Sequence, residues 1–154
     1  VACMTPRSRG SVTLRSPDPG SEPKIEHQYL SDPGGHDRAV LLEGLRIARR
    51  LASEPELSDL LGPELSPGPT IEDDAGLEEW IDDALEHYYH PVGTCAMGSA
   101  NDPLAVTDAR GRVHGVKNAF VADCSIMPVI PRANTNIPAI VVGERIAGWL
   151  LEHE

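Results

Sequence analysis

The sequence EHYYHPVGTCAMG, residues 86–98, leads from the end of an amphipathic helix into a segment rich in turns. His90 stands directly before Pro91, and a residue before proline is pushed out of the helical region of backbone space. The imidazole is therefore expected at a helix exit, on fixed backbone, where a reacting group can reach it. Gly93 and Gly98 bracket the rest of the motif, and glycine lets the backbone pass close to a bulky planar ligand. We predict that His90 is the residue that carries the chemistry.

Around this motif, hydrophobic spacing predicts short strands mixed with amphipathic helices, which is an α+β fold. The expected strands are 11–16, 24–30 and 119–123, and the expected helices are 37–53, 77–89 and 136–151. Asp37 is expected as the N-cap of the first helix and Asn136 as the N-cap of the last. Residues 54–76 contain four prolines and are expected to form a long surface loop.

Composition limits the class of function. The 154 residues suffice for a domain with a core, yet 14 prolines, 14 glycines and a single phenylalanine favour either a loop-rich domain or part of a larger protein whose core is completed elsewhere. A net charge of −11 argues against nucleic acid and anionic membrane surfaces as partners, because both require a positive face. The three cysteines lie far apart without metal spacing and are expected to be reduced thiols in the cytoplasm. No apolar run is long enough to span a bilayer.

The last expected helix is apolar on all sides in its first half, residues 137–143. A helix of that kind is buried and needs neighbours on every face. Its N-terminus carries unpaired N–H groups and about half a positive charge. The start of this helix, near Asn136, therefore suits an anion or a ring that becomes anionic.

Two residue groups are open to more than one interpretation. Glu86, His87 and His90 lie within about one helical turn of one another and in principle offer three metal ligands, although no further ligand cluster accompanies them. We favour the interpretation without a metal. Asp123 follows a short apolar strand, where open α/β sheets bind ligands, but a carboxylate is also ordinary at a strand-to-turn position.

Three motifs together resemble the C-terminal signature of the glucose–methanol–choline (GMC) family of flavoprotein oxidoreductases. They are HPVGTCAMG at 90–98, VADCSIMP at 121–128 and NTNIP at 134–138. The opening PRSRGSV, residues 6–12, also resembles the strand that begins the corresponding segment of that family. The resemblance covers nearly the whole chain and implies the C-terminal part of a GMC-type flavoprotein. Such a part contributes to an antiparallel substrate-domain sheet and supplies one strand and the last helix of the FAD domain.

The resemblance implies FAD-dependent oxidation of an alcohol to an aldehyde or ketone. His90 would take the hydroxyl proton as the base while hydride passes from the alcohol carbon to flavin N5, and Asn134 would bind the substrate oxygen. The positions implied to contact FAD are Asp123, Cys124, Asn136 and Pro138. The residue types agree with these roles, because a neutral imidazole suits a general base near neutral pH. An amide can donate a hydrogen bond to a developing alkoxide in a site closed to water.

The chain contains no Gly-x-Gly-x-x-Gly sequence, so the βαβ unit that cradles the FAD diphosphate is absent from it. We therefore expect it to pair with a separate polypeptide, made by cleavage or from a split gene, that carries the Gly-rich dinucleotide loop. Residues 1–116 would then form a substrate-side α+β segment, and residues 117–154 would complete the FAD-binding domain.

Two other functions are open on the same scaffold. One is a hydroxynitrile-lyase-type activity that uses the same histidine without redox turnover. The other is a non-catalytic assembly module, which the joint presence of His90 and Asn134 disfavours, since a purely structural role demands neither residue.

Overall fold

The structure, a computed structural model, describes residues 1–152 and combines helices, two short strands and long connecting loops. The elements are β1 (Ser11–Thr13), β2 (Lys24–Glu26), α1 (His36–Ser53), α2 (Pro55–Ser58), α3 (Asp74–Ala84), a 3₁₀-helix (Cys124–Ile126) and α4 (Asn136–Leu151). β1 and β2 pair as a two-stranded antiparallel sheet, and these elements agree with the α+β prediction. The chain divides into two compact units, Val1–Gly10 with Ile25–Tyr88, and Ser11–Lys24 with the chain from Tyr89 onward.

The first unit is built on the packing of α1 against α3. Its buried core consists of Leu42, Leu77 and Ile81, with Leu30, Leu41, Leu45, Ile71 and Trp80 packed around it. The apolar stripes predicted for the two helices supply most of these side chains. The loop between the helices is tied back to α1 by Arg49, whose guanidinium makes a bidentate pair with Glu64 at 2.9 and 3.0 Å.

The helix α3 begins and ends earlier than its apolar spacing predicted, at Asp74–Ala84 instead of 77–89. Asp73 fixes the beginning, because its side chain caps the helix by accepting the Gly76 N–H at 2.9 Å. At the other end Tyr88 is exposed. An apolar stripe stabilises a helix where it packs against a neighbour. The stripe therefore does not extend α3 past Ala84.

The predicted strands are shortened or lost. β1 and β2 have three residues each, and the predicted strand 119–123 is an extended segment without a sheet. That segment makes one isolated bridge, between Phe120 and Arg112, and the Val121 N–H donates to the Gly111 carbonyl at 2.8 Å. A strand is held by the ladder of hydrogen bonds to its neighbours. Within residues 1–152 the bridge to this segment comes from one short neighbour, so no sheet forms.

The prediction that Asp37 is the N-cap of α1 is wrong. Asp37 lies in the first turn of the helix and binds the N-terminal segment. Gly35, with φ of 62°, occupies the N-cap position, and the Asp32 carboxylate accepts the first N–H groups of the helix. Asp37 is only 2% exposed. Its carboxylate accepts the N–H of Arg7 at 2.7 Å and of Ser8 at 2.9 Å. The side chain is thus used for a long-range contact in place of a local cap.

We expect Asp37 to make the first unit sensitive to acid. Burial raises the pKa of Asp37, but hydrogen bonds from Ser8 and from the Arg7 N–H outweigh burial, so the pKa lies below its ordinary value. A carboxylate whose pKa is lower in the folded chain stabilises the fold above its unfolded pKa, and that contribution is lost as pH falls through the folded pKa. The free energy of unfolding in urea should therefore fall between neutral pH and about pH 3, and Asp37→Asn should reduce that fall.

The matched control for this prediction is Asp18→Asn, at an exposed turn where the carboxylate accepts the local Gly20 N–H at 2.9 Å. This variant should keep the wild-type dependence on acid. An Asp37→Asn protein with the same dependence as wild type would contradict the role assigned to Asp37.

The second unit joins several loop segments around Thr107. This residue is fully buried and bridges to Met97 and to Val113. Gly111 has φ of 76°, and a Cβ atom there would lie 2.7 Å from the Ile146 side chain, so the position requires glycine. Ile146 is 1% exposed and anchors α4 on these loops.

One side of α4 is buried through Ile146, and the opposite side is bare. Ile137, Ile140, Val141 and Leu151 are between 55% and 73% exposed, and helical spacing puts them on one side. We call these four residues the α4 face. This helix was expected to be covered on every side, and residues 1–152 leave the α4 face uncovered. A contiguous exposed apolar surface is typical of an interaction site.

Candidate active site

His90 lies on irregular backbone between α3 and the loop 93–98. It was expected at a helix exit, but α3 ends at Ala84 with Leu85 in the C-cap position, so the exit lies earlier in the chain. Gly93 has φ of 86°, in the left-handed region that favours glycine. The loop runs along the 3₁₀-helix through three backbone hydrogen bonds. These join Gly93 N–H to Cys124 O at 3.3 Å, Cys95 N–H to Ser125 O at 2.9 Å, and Met97 N–H to Ile126 O at 2.8 Å. The motif that contains His90 is thus bound to the motif that contains Asp123.

The side chain of His90 contacts Thr135, the residue immediately before α4. The imidazole Nδ1 lies 3.0 Å from Thr135 Oγ1 and 3.3 Å from the backbone nitrogen of Thr135, whose N–H points towards it. His90 is half-buried and Thr135 is buried. Both contacts engage Nδ1, so Thr135 holds the imidazole ring through this nitrogen.

The prediction that Asn136 is the N-cap of α4 is wrong. Asn136 is the first helical residue of α4. Thr135 occupies the N-cap position with φ of −84° and ψ of −2°, and within residues 1–152 no side chain caps the helix. The reason is that the Thr135 hydroxyl faces His90 instead. The Thr135 carbonyl accepts the Ala139 N–H at 2.8 Å and the Cys124 thiol at 3.4 Å. These bonds hold the start of α4 beside the 3₁₀-helix.

Asn134, Asn136 and Pro138, all predicted as site residues, lie close to Thr135 along the chain. Asn134 and Asn136 adjoin Thr135 on either side, and both side chains are exposed. Pro138 is half-buried in the first turn of α4, where a missing N–H removes no helix hydrogen bond. The NTNIP motif therefore presents two amides next to the residue that contacts His90.

Asp123 and Cys124, also predicted as site residues, lie at the 3₁₀-helix. The Asp123 carboxylate accepts the Ser125 N–H at 2.7 Å and caps this helix, and the side chain is exposed. The Cys124 thiol is half-buried and points to the Thr135 carbonyl. The structure thus brings His90, Cys124 and Thr135 together, while Asp123 adjoins this group along the chain.

The groups at the start of α4 fit the polar edge of a flavin ring. The exposed amides offer both donors and acceptors. Among the described residues no side chain caps the start of this helix, and a helix start carries unpaired N–H groups and partial positive charge. A ring that gains negative charge on reduction would be stabilised at such a helix start. The residues present therefore fit FAD.

A metal site gains no support from the geometry. Among the residues that the structure describes, no three His, Cys, Asp or Glu side chains lie close enough together to hold a metal ion. This holds for the set Glu86, His87 and His90 that the sequence left open. In the same part of the chain, no helix combines the length and apolar character needed to cross a membrane.

Thr135 is the site residue that the sequence did not single out. It lies inside the NTNIP motif, between two asparagines to which roles were assigned. The only local signal was a hydroxyl residue directly before an expected helix. Nothing in the spacing links it to His90, because the two residues are 45 positions apart.

Comparison with known proteins gives one consistent family. A family model described as GMC oxidoreductase matches residues 6–143. The chain is similar to oxygen-dependent choline dehydrogenase 1 of Chromohalobacter salexigens, with 42% identity over 149 residues, which cover 96% of this chain and 26% of that protein. It is also similar to an uncharacterized GMC-type oxidoreductase of Mycobacterium bovis, with 46% identity over 145 residues, which cover 94% and 27%.

Solved structures agree with these sequence matches. The crystal structure of pyridoxine 4-oxidase from Mesorbium loti has a TM-score of 0.86 and 32% identity to this chain, over 98% of this chain and 29% of that one. The matches confirm the resemblance drawn from the three motifs. This chain spans about a quarter of the length of the curated relatives that it matches.

Proposed function

Since this chain belongs to the GMC oxidoreductase family, we propose that it is the C-terminal part of an FAD-dependent enzyme that oxidises an alcohol to an aldehyde or ketone. One observation carries the proposal: Thr135 fixes the half-buried His90 imidazole through Nδ1, beside exposed amides and an uncapped helix start. The relatives include a choline dehydrogenase and a pyridoxine 4-oxidase. A small polar alcohol is therefore the substrate class that we propose.

In this reaction His90 acts as the general base. Hydride leaves an alcohol carbon more readily once the oxygen gains negative charge, so removal of the hydroxyl proton promotes the oxidation. Asn134 is exposed and adjoins Thr135, and its amide would donate a hydrogen bond to the oxygen as it becomes an alkoxide. FAD, when bound, supplies the hydride acceptor.

Four residues of this chain would hold the cofactor. Asn136 and Pro138 would meet the pyrimidine edge of the flavin, where the start of α4 offers N–H groups and partial positive charge. Asp123 and Cys124 would approach the ribityl and diphosphate groups. The bond from the Ser125 N–H supports this assignment, because it orients the exposed Asp123 carboxylate at 2.7 Å.

The rest of the FAD site would come from an FAD-binding portion that lies outside residues 1–154, since this sequence has no Gly-rich dinucleotide loop. We propose that residues 117–154 complete the FAD-binding domain, and that residues 1–116 belong to the substrate side, with β1 and β2 joining its antiparallel sheet. The uncovered α4 face supports this arrangement. We propose that the FAD-binding portion is a separate polypeptide.

The assembled flavoprotein tests the proposed function under anaerobic conditions. Addition of choline, pyridoxine or simple primary alcohols should bleach the absorbance of oxidised flavin and form the corresponding aldehyde. A hydroxynitrile-lyase-type enzyme would cleave a cyanohydrin without any change in flavin absorbance. An assembly module would neither oxidise an alcohol nor cleave a cyanohydrin. Bound flavin that none of these alcohols reduces would contradict the proposal.

A further inference from the structure

We propose that Thr135 is a positioning residue whose hydroxyl sets which ring nitrogen of His90 carries the proton. The inference rests on the proposed function, because it concerns His90 as the base. In a neutral imidazole one nitrogen is protonated and the other holds a lone pair. A base that meets its substrate at Nε2 needs its own proton on Nδ1, and Nδ1 is the nitrogen that Thr135 contacts.

Thr135 presents two groups of different character to Nδ1. The backbone N–H, whose nitrogen is 3.3 Å away, can only donate, so it favours a lone pair on Nδ1 and a proton on Nε2. The hydroxyl oxygen is closer, at 3.0 Å, and can accept a hydrogen bond from a protonated Nδ1. The backbone group therefore opposes the tautomer that the base requires, and the hydroxyl permits it.

The hydroxyl is needed equally after proton transfer. The alcohol O–H bond breaks, its proton forms a bond to Nε2, and Nδ1 keeps its own proton. Neutral His90 becomes an imidazolium as the alcohol becomes an alkoxide, and both ring nitrogens are then donors. Thr135 Oγ1 accepts from the Nδ1–H. Removal of this oxygen takes away an acceptor at 3.0 Å, while the backbone N–H still faces the Nδ1–H as donor against donor, so the imidazolium is destabilised.

Thr135 is well placed to hold its hydroxyl in this position. The residue is 8% exposed, so water has little room to replace Oγ1. Its carbonyl accepts the Ala139 N–H at 2.8 Å and the Cys124 thiol at 3.4 Å, and these bonds fix the adjoining peptide. A threonine side chain in such a setting occupies one of a few staggered rotamers. The contact to His90 is therefore part of an anchored segment.

The test compares Thr135→Val, which keeps the branched shape and removes the hydroxyl, with Thr135→Ser, which keeps the hydroxyl. Both variants are made in the assembled flavoprotein, and flavin reduction by an alcohol substrate of the wild-type enzyme is followed anaerobically. Thr135→Val should lower the limiting rate about 100-fold, with little change in the alcohol concentration that gives half this rate. The solvent deuterium isotope effect should rise in Thr135→Val, because proton transfer becomes slower, and Thr135→Ser should behave as wild type.

Two results would overturn the inference. One is a wild-type rate in Thr135→Val. The other is an equal loss of rate in both variants, which would assign the effect to packing. A His90→Gln enzyme with full activity would show that another group is the base and would overturn the inference as well. Bound flavin that no alcohol reduces in the wild-type enzyme would instead remove the proposed function itself.

If Thr135→Val does not retain flavin, a measurement on the wild-type enzyme shows which ring nitrogen of His90 is protonated. Nuclear magnetic resonance of ¹⁵N-labelled histidine distinguishes a protonated ring nitrogen from one with a lone pair. The signals that are lost in His90→Gln belong to His90. Neutral His90 should show a protonated Nδ1 and an unprotonated Nε2, and the reverse pattern overturns the inference.

Discussion

Replacement of His90 by glutamine should lower the limiting rate of flavin reduction by an alcohol about 10²- to 10⁴-fold, the range that a positioned general base contributes. Glutamine keeps a polar side chain in the site but cannot take a proton from the hydroxyl group. The Nδ1 contacts at 3.0 and 3.3 Å show that the imidazole is held in one orientation, so its loss removes an ordered group. The rate is measured anaerobically by stopped-flow absorbance at saturating alcohol.

His27→Gln is the matched control for this prediction. The His27 imidazole is exposed and stacks on Tyr29, with the ring centroids 5.1 Å apart, in the first unit of the chain. This variant should reduce its flavin at the wild-type rate. Equal flavin content in both variants ensures that a lower rate reflects chemistry and not lost cofactor. A wild-type rate in His90→Gln would show that another group is the base.

Ile140→Asp should abolish flavin retention in the assembled enzyme. Ile140 is 55% exposed and belongs to the α4 face, which we propose is covered by the FAD-binding portion. Assembly would then bury a carboxylate without a partner, and an uncompensated buried charge costs about 3–5 kcal/mol. The ratio of flavin to protein after gel filtration measures the effect.

Leu65→Asp provides the control, because it introduces the same charge at a leucine that is 93% exposed in the loop between α2 and α3. It should leave the flavin content at the wild-type value. An Ile140→Asp enzyme with a full complement of flavin would show that the α4 face is not the covered surface.

The long helices could be predicted from the sequence because their signal is local. α1 and α4 lie within one residue of the ranges that apolar spacing gave. The helix starts were less predictable. Asp37 and Asn136 were expected as N-caps from residue type, but Asp37 binds the N–H groups of distant residues. The N-cap of α4 is Thr135, whose side chain faces His90.

The segment 119–123 shows a different limit of sequence patterns. Its apolar residues suit a strand, yet a strand also depends on which segments lie beside it. The bridge between Phe120 and Arg112 is too little to form a sheet. A pattern in one segment contains no information about the presence of its neighbours.

The site was predictable where a backbone rule applied and unpredictable where a tertiary contact decided. His90 before Pro91 predicted a helix exit, and the structure confirms only that His90 is not helical, because α3 already ends at Ala84. The contact between His90 and Thr135 joins positions 45 residues apart. The spacing of apolar residues along the chain does not predict contacts between residues so far apart in sequence. The motif NTNIP indicated the region of the candidate site, while the contact of its central threonine with His90 is visible only in the folded chain.

The α4 face also has a consequence for the cell that makes this polypeptide. Chaperones and proteases recognise exposed apolar surface as a sign of incomplete folding. They would therefore act on this chain whenever no other protein surface covers Ile137, Ile140, Val141 and Leu151. If the FAD-binding portion is a separate polypeptide, as we propose, synthesis of this chain in excess of that portion should lead to degradation or inclusion bodies, and balanced co-expression should raise the yield. The abundance of the one part would then be set by the supply of the other.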